Sequence, residues 1–466
     1  MLRAEKKHLS VLLRNIGSRQ HAHPCSKRPS LPHGRQGAQL CGGNGRLVSR
    51  YTHLPKRAVV LAFEGPDRYS LVGGLGVRVT ELSRALGSAG IETDVFFIGD
   101  PSKPGSENFT KNVRLRRWCQ WISRSSPGGV YENERAKIDD YTRSVPAAVA
   151  SEIVQPAAER GEHTIVFAED WQAAPAAIEL DALLRRRGLR QSAVLTWNAN
   201  NTYGFETIDW AMLQRAVQIT AVSKYMKFEL SRVDVQSLVI PNGIPPQLLE
   251  TDTDAIDVLR AALSDRNALL KVGRYDPDKR WMQAIDAVAD LHDRRVPVQL
   301  IVRGGKEPYG NAVLARARER GLSVQDLTLA ESTPAQLAAA LRTQQSDVVN
   351  LRSFLPDQTL YALYGAAEAT LANSGKEPFG LVGLEVMASG GTPVCGSTGE
   401  DYAEPFENAI VCDTDDPLEL ATYLRRLFED AALARAIRER ARETAKRFTW
   451  PAVLDLLDTK LGYLTR

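Results

Sequence analysis

Short, uninterrupted apolar runs alternate with longer stretches whose apolar residues recur at helical spacing, and this alternation appears in both halves of the chain. Ala58–Phe63 is apolar throughout, between Arg57 and Glu64, as expected of a strand buried on both faces in a parallel sheet. A glycine-rich loop, Gly73–Arg78, follows. An amphipathic helix through Leu82, Leu86 and Ala89 then ends at Gly90, and a second strand covers Asp94–Ile98. Strand, loop, helix, strand is an α/β unit. Further buried strands are predicted at Thr164–Ala168 and Ala193–Trp197, and in the second half at Ala268–Gly273, Pro297–Val302, Val348–Leu351 and Ala367–Ser374. A helix is predicted over Trp281–Leu291. Another starts at Leu381, with Leu381, Leu384 and Ala388 on one face and Gly390-Gly391 as its stop. Leu418–Phe448 reads as helical, with Asp416 as N-cap and Pro417 at the first helical position. Gly105–Tyr141 is polar, carries Trp118, Cys119 and Trp121, and has no clean period, so loops and short elements are expected there.

Composition changes this picture mainly at the N-terminus. At 466 residues, 43% hydrophobic and 25% charged, the chain can fill two domain cores. No apolar run approaches the roughly 18 residues of a membrane span. The net charge of +3 is unevenly distributed: residues 1–57 hold 12 of the 59 basic residues and one acid, Glu5, so the remainder carries 47 basic against 55 acidic. An acidic body gives no reason to expect nucleic acid as a partner. The basic stretch 1–57 is expected to be a disordered leader, either a plain tail, a wrongly chosen start or an organelle transit peptide. Five cysteines, Cys25, Cys41, Cys119, Cys395 and Cys412, show no paired spacing, so neither a disulfide framework nor a zinc site is expected, and a cytoplasmic location is the default.

The candidate chemistry centres on Glu377 and Glu385. Pro378 keeps Glu377 out of a helix, whereas Glu385 shares the apolar face of the helix that follows. A carboxylate on a packed face needs hydrogen-bond donors, and adjacent hydroxyls such as those of a ribose would supply them. The backbone N–H groups of Gly380, Leu381 and Val382 at that helix start form an anion site. Anion plus diol suggests a nucleotide; the alternative is a solvated Glu377 and a Glu385 paired with a distant lysine or arginine. Gly74-Leu75-Gly76 lacks the third glycine of a dinucleotide fingerprint, which argues against NAD. Asp170 follows a strand end and serves either as a sugar-hydroxyl acceptor or as a helix cap. Asp252-Thr253-Asp254 and Asp413-Thr414-Asp415 have the spacing of a metal-binding pair but fall in loops, so no metal is expected. Outside the leader the histidines are His163 and His292, neither well placed for catalysis.

The segment Glu377–Val394, EPFGLVGLEVMASGGTPV, resembles the Glu, seven residues, Glu signature of retaining glycosyltransferases of family 4 (glycosyl transferase group 1), related to glycogen and starch synthases. The resemblance spans about residues 58 to 455 and implies a GT-B fold: two Rossmann-like α/β domains facing each other across a cleft. It places Glu377 beside the donor sugar and Glu385 on the nucleotide ribose, with Phe379, Gly380, Leu381 and Val382 also at the donor. Arg274 and Lys279 match the family's Gly-Arg, four residues, Lys clamp on the diphosphate, and Gly74 and Gly76 match a loop facing the donor phosphates. Glu169-Asp170-Trp171-Gln172 resembles the family's His-Asp-Trp-Gln, with Glu169 in place of histidine, and Asn198 stands where a histidine is frequent. Asp170 and Asn198 are thus candidate sugar contacts. Ile219–Lys224 and Ser237–Ile244 resemble the closing strands of the first domain, with Pro241-Asn242-Gly243 as the hinge. The implied organisation is a first, acceptor domain over 58–250, a linker over 251–265, a donor domain over 266–430, and final helices over 431–466 that cross back. The implied reaction moves a hexose from a nucleotide diphosphate sugar to a glycan, small molecule or lipid-linked sugar, with retention and with neither metal nor cofactor. A phosphorylase of the same fold and a silent nucleotide-sugar binder are the alternatives; donor base, acceptor and oligomeric state are left open.

Overall fold

Two parallel sheets, each wrapped by helices, account for most of the chain. The computed structural model describes residues 50–250 and 252–464. The first sheet contains β1 (Arg57–Leu61), β2 (Glu92–Ile98), β3 (Ser106–Thr110), β4 (Val113–Trp118), β5 (Thr164–Glu169), β6 (Ala193–Ala199), β7 (Gln218–Ala221) and β8 (Leu238–Val239). Their order across the sheet is β3-β4-β2-β1-β5-β6-β7-β8, parallel except for β3 against β4. The second contains β9 (Asn267–Val272), β10 (Val298–Arg303), β11 (Val324–Leu327), β12 (Val348–Leu351), β13 (Ala369–Ala372), β14 (Pro393–Cys395) and β15 (Ile410–Val411), in the order β11-β12-β10-β9-β13-β14-β15. The strand order turns back between β1 and β5 in one sheet and between β9 and β13 in the other. Crevices open beyond the carboxyl ends of strands at such switch points.

The apolar runs read from the sequence are the core strands. Val59, Leu61, Val166, Leu195 and Trp197 pack together in the first domain, and Leu269, Leu300, Val348 and Leu371 in the second. The final helix, Trp450–Leu464, returns to the first domain, where Trp450, Val453, Leu454, Leu457 and Leu461 pack with Val60, Val95 and Ile165. It is threaded there by backbone bonds from Ile244 to Phe448 (2.9 Å) and from Trp450 to Ile244 (3.0 Å), which tie the hinge to the returning chain.

Several expectations change. The linker is mostly a helix, Thr253–Ala262, capped by Asp252 and packed through Ile256 and Leu259 onto the second domain. Thr251 lies outside the described residues. Gly105–Tyr141 holds the hairpin β3–β4 and the start of a helix, Glu134–Val149. Their apolar pattern is weak because β3 is an exposed edge strand and β4 buries an arginine, Arg117, which pairs with buried Asp67 at 2.7 Å. The expected leader falls outside the described residues up to 49, but its last residues belong to the fold. Tyr51 and Leu54 are buried in the first-domain core, Asp458 accepts from the His53 and Leu54 N–H groups (both 2.7 Å), and Arg57 opens β1. Leu418–Phe448 is two helices, Pro417–Glu429 and Ala431–Lys446, broken at Asp430, which caps the second by accepting from Leu433 N–H. Ala431–Lys446 stays with the second domain, against the helix Leu381–Ala388, so the crossing back is made by Trp450–Leu464.

Candidate active site

Three loops converge beyond the carboxyl ends of β9 and β13. After β9 the chain turns through Asp276, whose carboxylate caps the short turn Pro277–Lys279 by accepting from Asp278 N–H at 2.9 Å. Trp281 donates its indole N–H to the Arg274 carbonyl at 2.8 Å and packs against Tyr275, which fixes the loop from within. Gly375 N–H then bonds to Asp278 O at 2.7 Å, joining this loop to the one after β13. The third loop contributes Thr398, whose hydroxyl meets the Glu377 N–H (2.9 Å) and C=O (3.2 Å).

The result is that Lys279 and Glu377, 98 positions apart, form an ion pair of 2.5 Å at the switch point. Arg274 is exposed, and its side chain makes no hydrogen bond with another described residue. Gly380 precedes the helix Leu381–Ala388 with φ +80, where a Cβ would lie 2.6 Å from Glu400 Cγ. Only glycine fits both demands. No described side chain caps that helix start, so the amides of Leu381 and Val382 remain an anion site. Phe379 is placed differently from the expectation of a donor contact. It is 3% exposed and packs edge-on with Tyr402 and beside Phe448, so its side chain is core.

Glu385 is half-buried and forms neither an ion pair nor a side-chain hydrogen bond with any described residue. Burial, assisted by the charge of Asp357, pushes its pKa up to about 8. It lines a small pocket with Val77, Arg78 and Glu81 of the first helix, the hinge residues Asn242–Pro245, and Trp450. The alternative of a Glu385 tied to a lysine or arginine is thereby excluded among the described residues. Sequence reading missed two further ionisable groups. Lys271, buried in β9, donates to Asn373 Oδ1 (2.7 Å) and Leu371 O (3.1 Å) and sits over the Trp281 ring. Burial, with the charges of Lys279 and Arg280, lowers its pKa to about 7. Glu400 accepts from Gly396 N–H (3.2 Å) and Thr398 N–H (3.3 Å), and burial next to Glu377 raises its pKa to about 7. A charged residue inside an otherwise apolar strand, Leu269-Leu270-Lys271-Val272, was the available signal for Lys271.

In the first domain the glycine segment is not a loop but the first turn of the helix Gly74–Ser88. Its amides bind the buried Glu64, whose Oε2 accepts from Val72 (3.3 Å), Gly73 (3.1 Å) and Gly76 (3.0 Å). Gly76 N–H is therefore engaged internally, whereas Gly74 is exposed at the helix start. Glu169 forms a buried bidentate pair with Arg78 (2.8 and 3.1 Å). Asn198 donates to Glu169 (3.2 Å) and accepts from Thr220 (2.9 Å), so its amide serves this network. Asp170, with φ 69 and ψ 176, is in a region that side chains avoid. It caps Trp171 N–H (2.9 Å) and is bonded by Asn201; burial raises its pKa to about 8. The cap reading of Asp170 is thus realised, at the mouth of the crevice. Among the described residues no group of three or more His, Cys, Asp and Glu side chains is placed to hold a metal ion, and Asp252 and Asp415 are engaged as a helix cap and as the partner of Arg280.

Comparisons with known proteins agree with this geometry. The sequence model described as glycosyl transferases group 1 matches residues 259–444, and that described as Glycosyltransferase Family 4 matches residues 72–248. A D-inositol 3-phosphate glycosyltransferase of Thermobispora bispora is 26% identical over 402 residues, 82% of this chain and 87% of that protein. One of Salinispora tropica is 38% identical over 130 residues, 26% of each chain. Among solved structures, sucrose-phosphate synthase of Thermosynechococcus elongatus superposes with a TM-score of 0.62 at 21% identity, covering 88% of this chain and 98% of that one. Anabaena HepE, solved in complex with UDP and glucose, gives 0.60 at 17% identity, covering 87% and 99%. Two parallel-sheet domains meeting at a shared pocket, with these likenesses, define a glycosyltransferase of the GT-B fold. The chain belongs to family 4 of these enzymes, the glycosyl transferases group 1. No helix among the described residues is long and apolar enough to cross a membrane.

Proposed function

We propose that the protein transfers a hexose from a nucleotide diphosphate sugar to a hydroxyl of its acceptor, with retention at the anomeric carbon and without a metal ion. The observation that carries this reading is the Lys279–Glu377 pair at the β9/β13 switch point, with Glu385, which has no partner among the described residues, on the helix that follows Glu377. Lys279 has three N–H donors, of which Glu377 takes one, so two remain for phosphoryl oxygens. Arg274 adds a second cation, and the amides of Leu381 and Val382 add neutral donors. Placed together, these groups would stabilise the negative charge that grows on the departing diphosphate. Glu377 supports the positive character that develops on the sugar, and Glu385 accepts hydrogen bonds from the ribose hydroxyls. Ribose donors favour the ionised form of Glu385, so nucleotide binding below about pH 8 releases a proton.

A thermal-shift screen of UDP, ADP and GDP tests the donor, because a ligand that binds only the folded chain raises its melting temperature. UDP goes first, since HepE was solved with UDP and glucose. One of the three is expected to stabilise the protein by several degrees, and a chain indifferent to all three is not a nucleotide-sugar enzyme. The anomeric configuration of the product, read by proton NMR, tests retention, and unchanged turnover in EDTA tests the absence of a metal.

A further inference from the structure

The proposed donor leaves its base open, and an arginine at the end of β10 narrows it. A nucleoside diphosphate whose phosphates meet Lys279 and the Leu381 and Val382 amides, and whose ribose meets Glu385, carries its base past Glu385. The sheet order gives the direction: β10 and β12 lie on the side of β9 away from β13, and so away from Glu377. Glu385 feels the charge of Asp357, which opens the helix Asp357–Ala366 after β12. On that helix Tyr364 is close enough to both Glu385 and Arg303 to feel their charges. Arg303 ends β10 beside Val272 in the parallel register, so the two side chains leave the same face of the sheet. On that face Val272 and Val382 pack against the cluster of Leu355, Tyr364 and Val386, the last being the neighbour of Glu385. Arg303 and the loop before Asp357 thus stand where the base falls. The arginine is held in place there, yet nothing accepts its hydrogen bonds. Its guanidinium lies over the Phe354 ring, 5.6 Å from the centroid, and its Nε is buried without a partner. It forms neither a hydrogen bond nor an ion pair with any described residue. Phe354 is 73% exposed, an aromatic face that fixes the plane of the guanidinium at the surface.

Taking the nucleotide-sugar donor reading as its basis, we infer that Arg303, steadied by Phe354, selects a donor whose base has a carbonyl on the edge farthest from the sugar. Uracil and guanine meet that condition, and cytosine and adenine do not. A guanidinium has donors and no acceptor. Uracil O4 and guanine O6 accept, whereas cytosine N4 and adenine N6 present N–H groups at the same place. A donor facing a donor in a partly buried site leaves both unsatisfied, so the amino base is rejected and not merely held less well. The carbonyl base supplies the acceptor that Arg303 lacks in the fold.

Calorimetric titration of the full chain with nucleoside diphosphates reads this without the sugar or the acceptor. The probes are matched pairs: UDP with CDP, and IDP, which has the O6 of guanine without its amino group, with ADP. In the pair whose ring size fits, the carbonyl member is expected to bind at least about tenfold tighter than the amino member, the discrimination of one good base contact. In Arg303→Met, which keeps an unbranched stem over Phe354, the ratio should fall below about threefold, because the carbonyl member loses its donors. Inorganic pyrophosphate should bind wild type and Arg303→Met alike, a readout that an arginine serving the phosphates or the fold would move. Equal binding within both pairs, tighter binding by an amino member, or a ratio unchanged in Arg303→Met overturns the inference while the donor reading stands. So does a loss of pyrophosphate binding in Arg303→Met as large as the loss of the carbonyl member. If no nucleoside diphosphate binds, the donor reading fails and this inference falls with it. Should Arg303→Met prove insoluble, Arg303→Gln, which can both donate and accept, is expected to narrow the ratio in the same way.

Discussion

Glu385 shows how one side chain reports on its surroundings. In the unfolded chain it titrates in the ordinary carboxylate range, but in the fold burial raises its pKa to about 8. Between those values the folded state holds a proton that the unfolded state has released, so this residue makes stability fall as pH rises from about 4.5 to 8, by at most about 1.4 kcal/mol per unit. Glu385→Gln cannot titrate and is expected to gain melting temperature over wild type progressively across that window, as scanning calorimetry would show. Its nucleotide affinity should also lose the rise between pH 6 and 8 expected of wild type. Lys271 gives the opposite slope. With a folded pKa near 7, it binds fewer protons than the unfolded chain above pH 7, so stability rises from pH 7 towards 10, and Lys271→Met should flatten that rise. Turnover separates the remaining roles. Glu385→Ala is expected to raise the donor KM with little change in kcat, because a ribose contact serves ground and transition states alike. Lys279→Ala should lower kcat by roughly 10² to 10³, the range for one lost preorganised donor. A Lys279→Ala that changes KM alone would remove it from the leaving-group site.

Elements place these residues through features that local sequence states only in part. The helix Leu381–Ala388 was legible, because Pro378, the apolar spacing and Gly390-Gly391 mark its ends. What Gly380 does was not, since its φ of +80 and its contact with Glu400 arise from a loop twenty residues later. Gly380→Ala must therefore both strain the backbone and move Glu400. A loss of about 1–3 kcal/mol in urea unfolding is expected, with weaker nucleotide binding because the Leu381 and Val382 amides shift. The first helix was legible from Leu82 and Leu86, but its start was set too late. Glycines at 73, 74 and 76 read as a loop by propensity; here Glu64, a carboxylate outside the helix, accepts from the Val72 and Gly73 amides just before it and from one orphan amide in its first turn, that of Gly76. The hairpin β3–β4 escaped notice because a buried arginine interrupts the alternation by which a strand is recognised.

At the scale of the molecule, residues 50–57 and the helix Trp450–Leu464 close the first domain together. Tyr51 and Leu54 pack with Leu457 and Leu461 in one cluster, and Asp458 holds the backbone of residues 52–54. Deleting residues 1–57 should therefore leave a less stable protein than deleting residues 1–49. Two buried side chains are worth roughly 1.5–3 kcal/mol each, and the loss of Arg57 shortens β1 as well. Denaturant midpoints of the two truncations check this, and equal midpoints would show that residues 50–57 add nothing. By itself the sequence determined much of the strand and helix series and the α/β class, because apolar period, proline, glycine and capping residues act within a few positions; the residues it nominated for the site remain candidates. Only the tertiary structure decided how those residues are used. Lys279 meets Glu377 across 98 positions, Glu385 is left without a partner among the described residues, Glu64 takes the Gly76 amide and the two amides that lead into its helix, and Asn198 serves a buried network. Each of these depends on which loops arrive at the ends of β1, β5, β9 and β13. Charge and hydrogen-bond capacity are properties of a residue, but whether they are spent or free is fixed by neighbours brought from far along the chain.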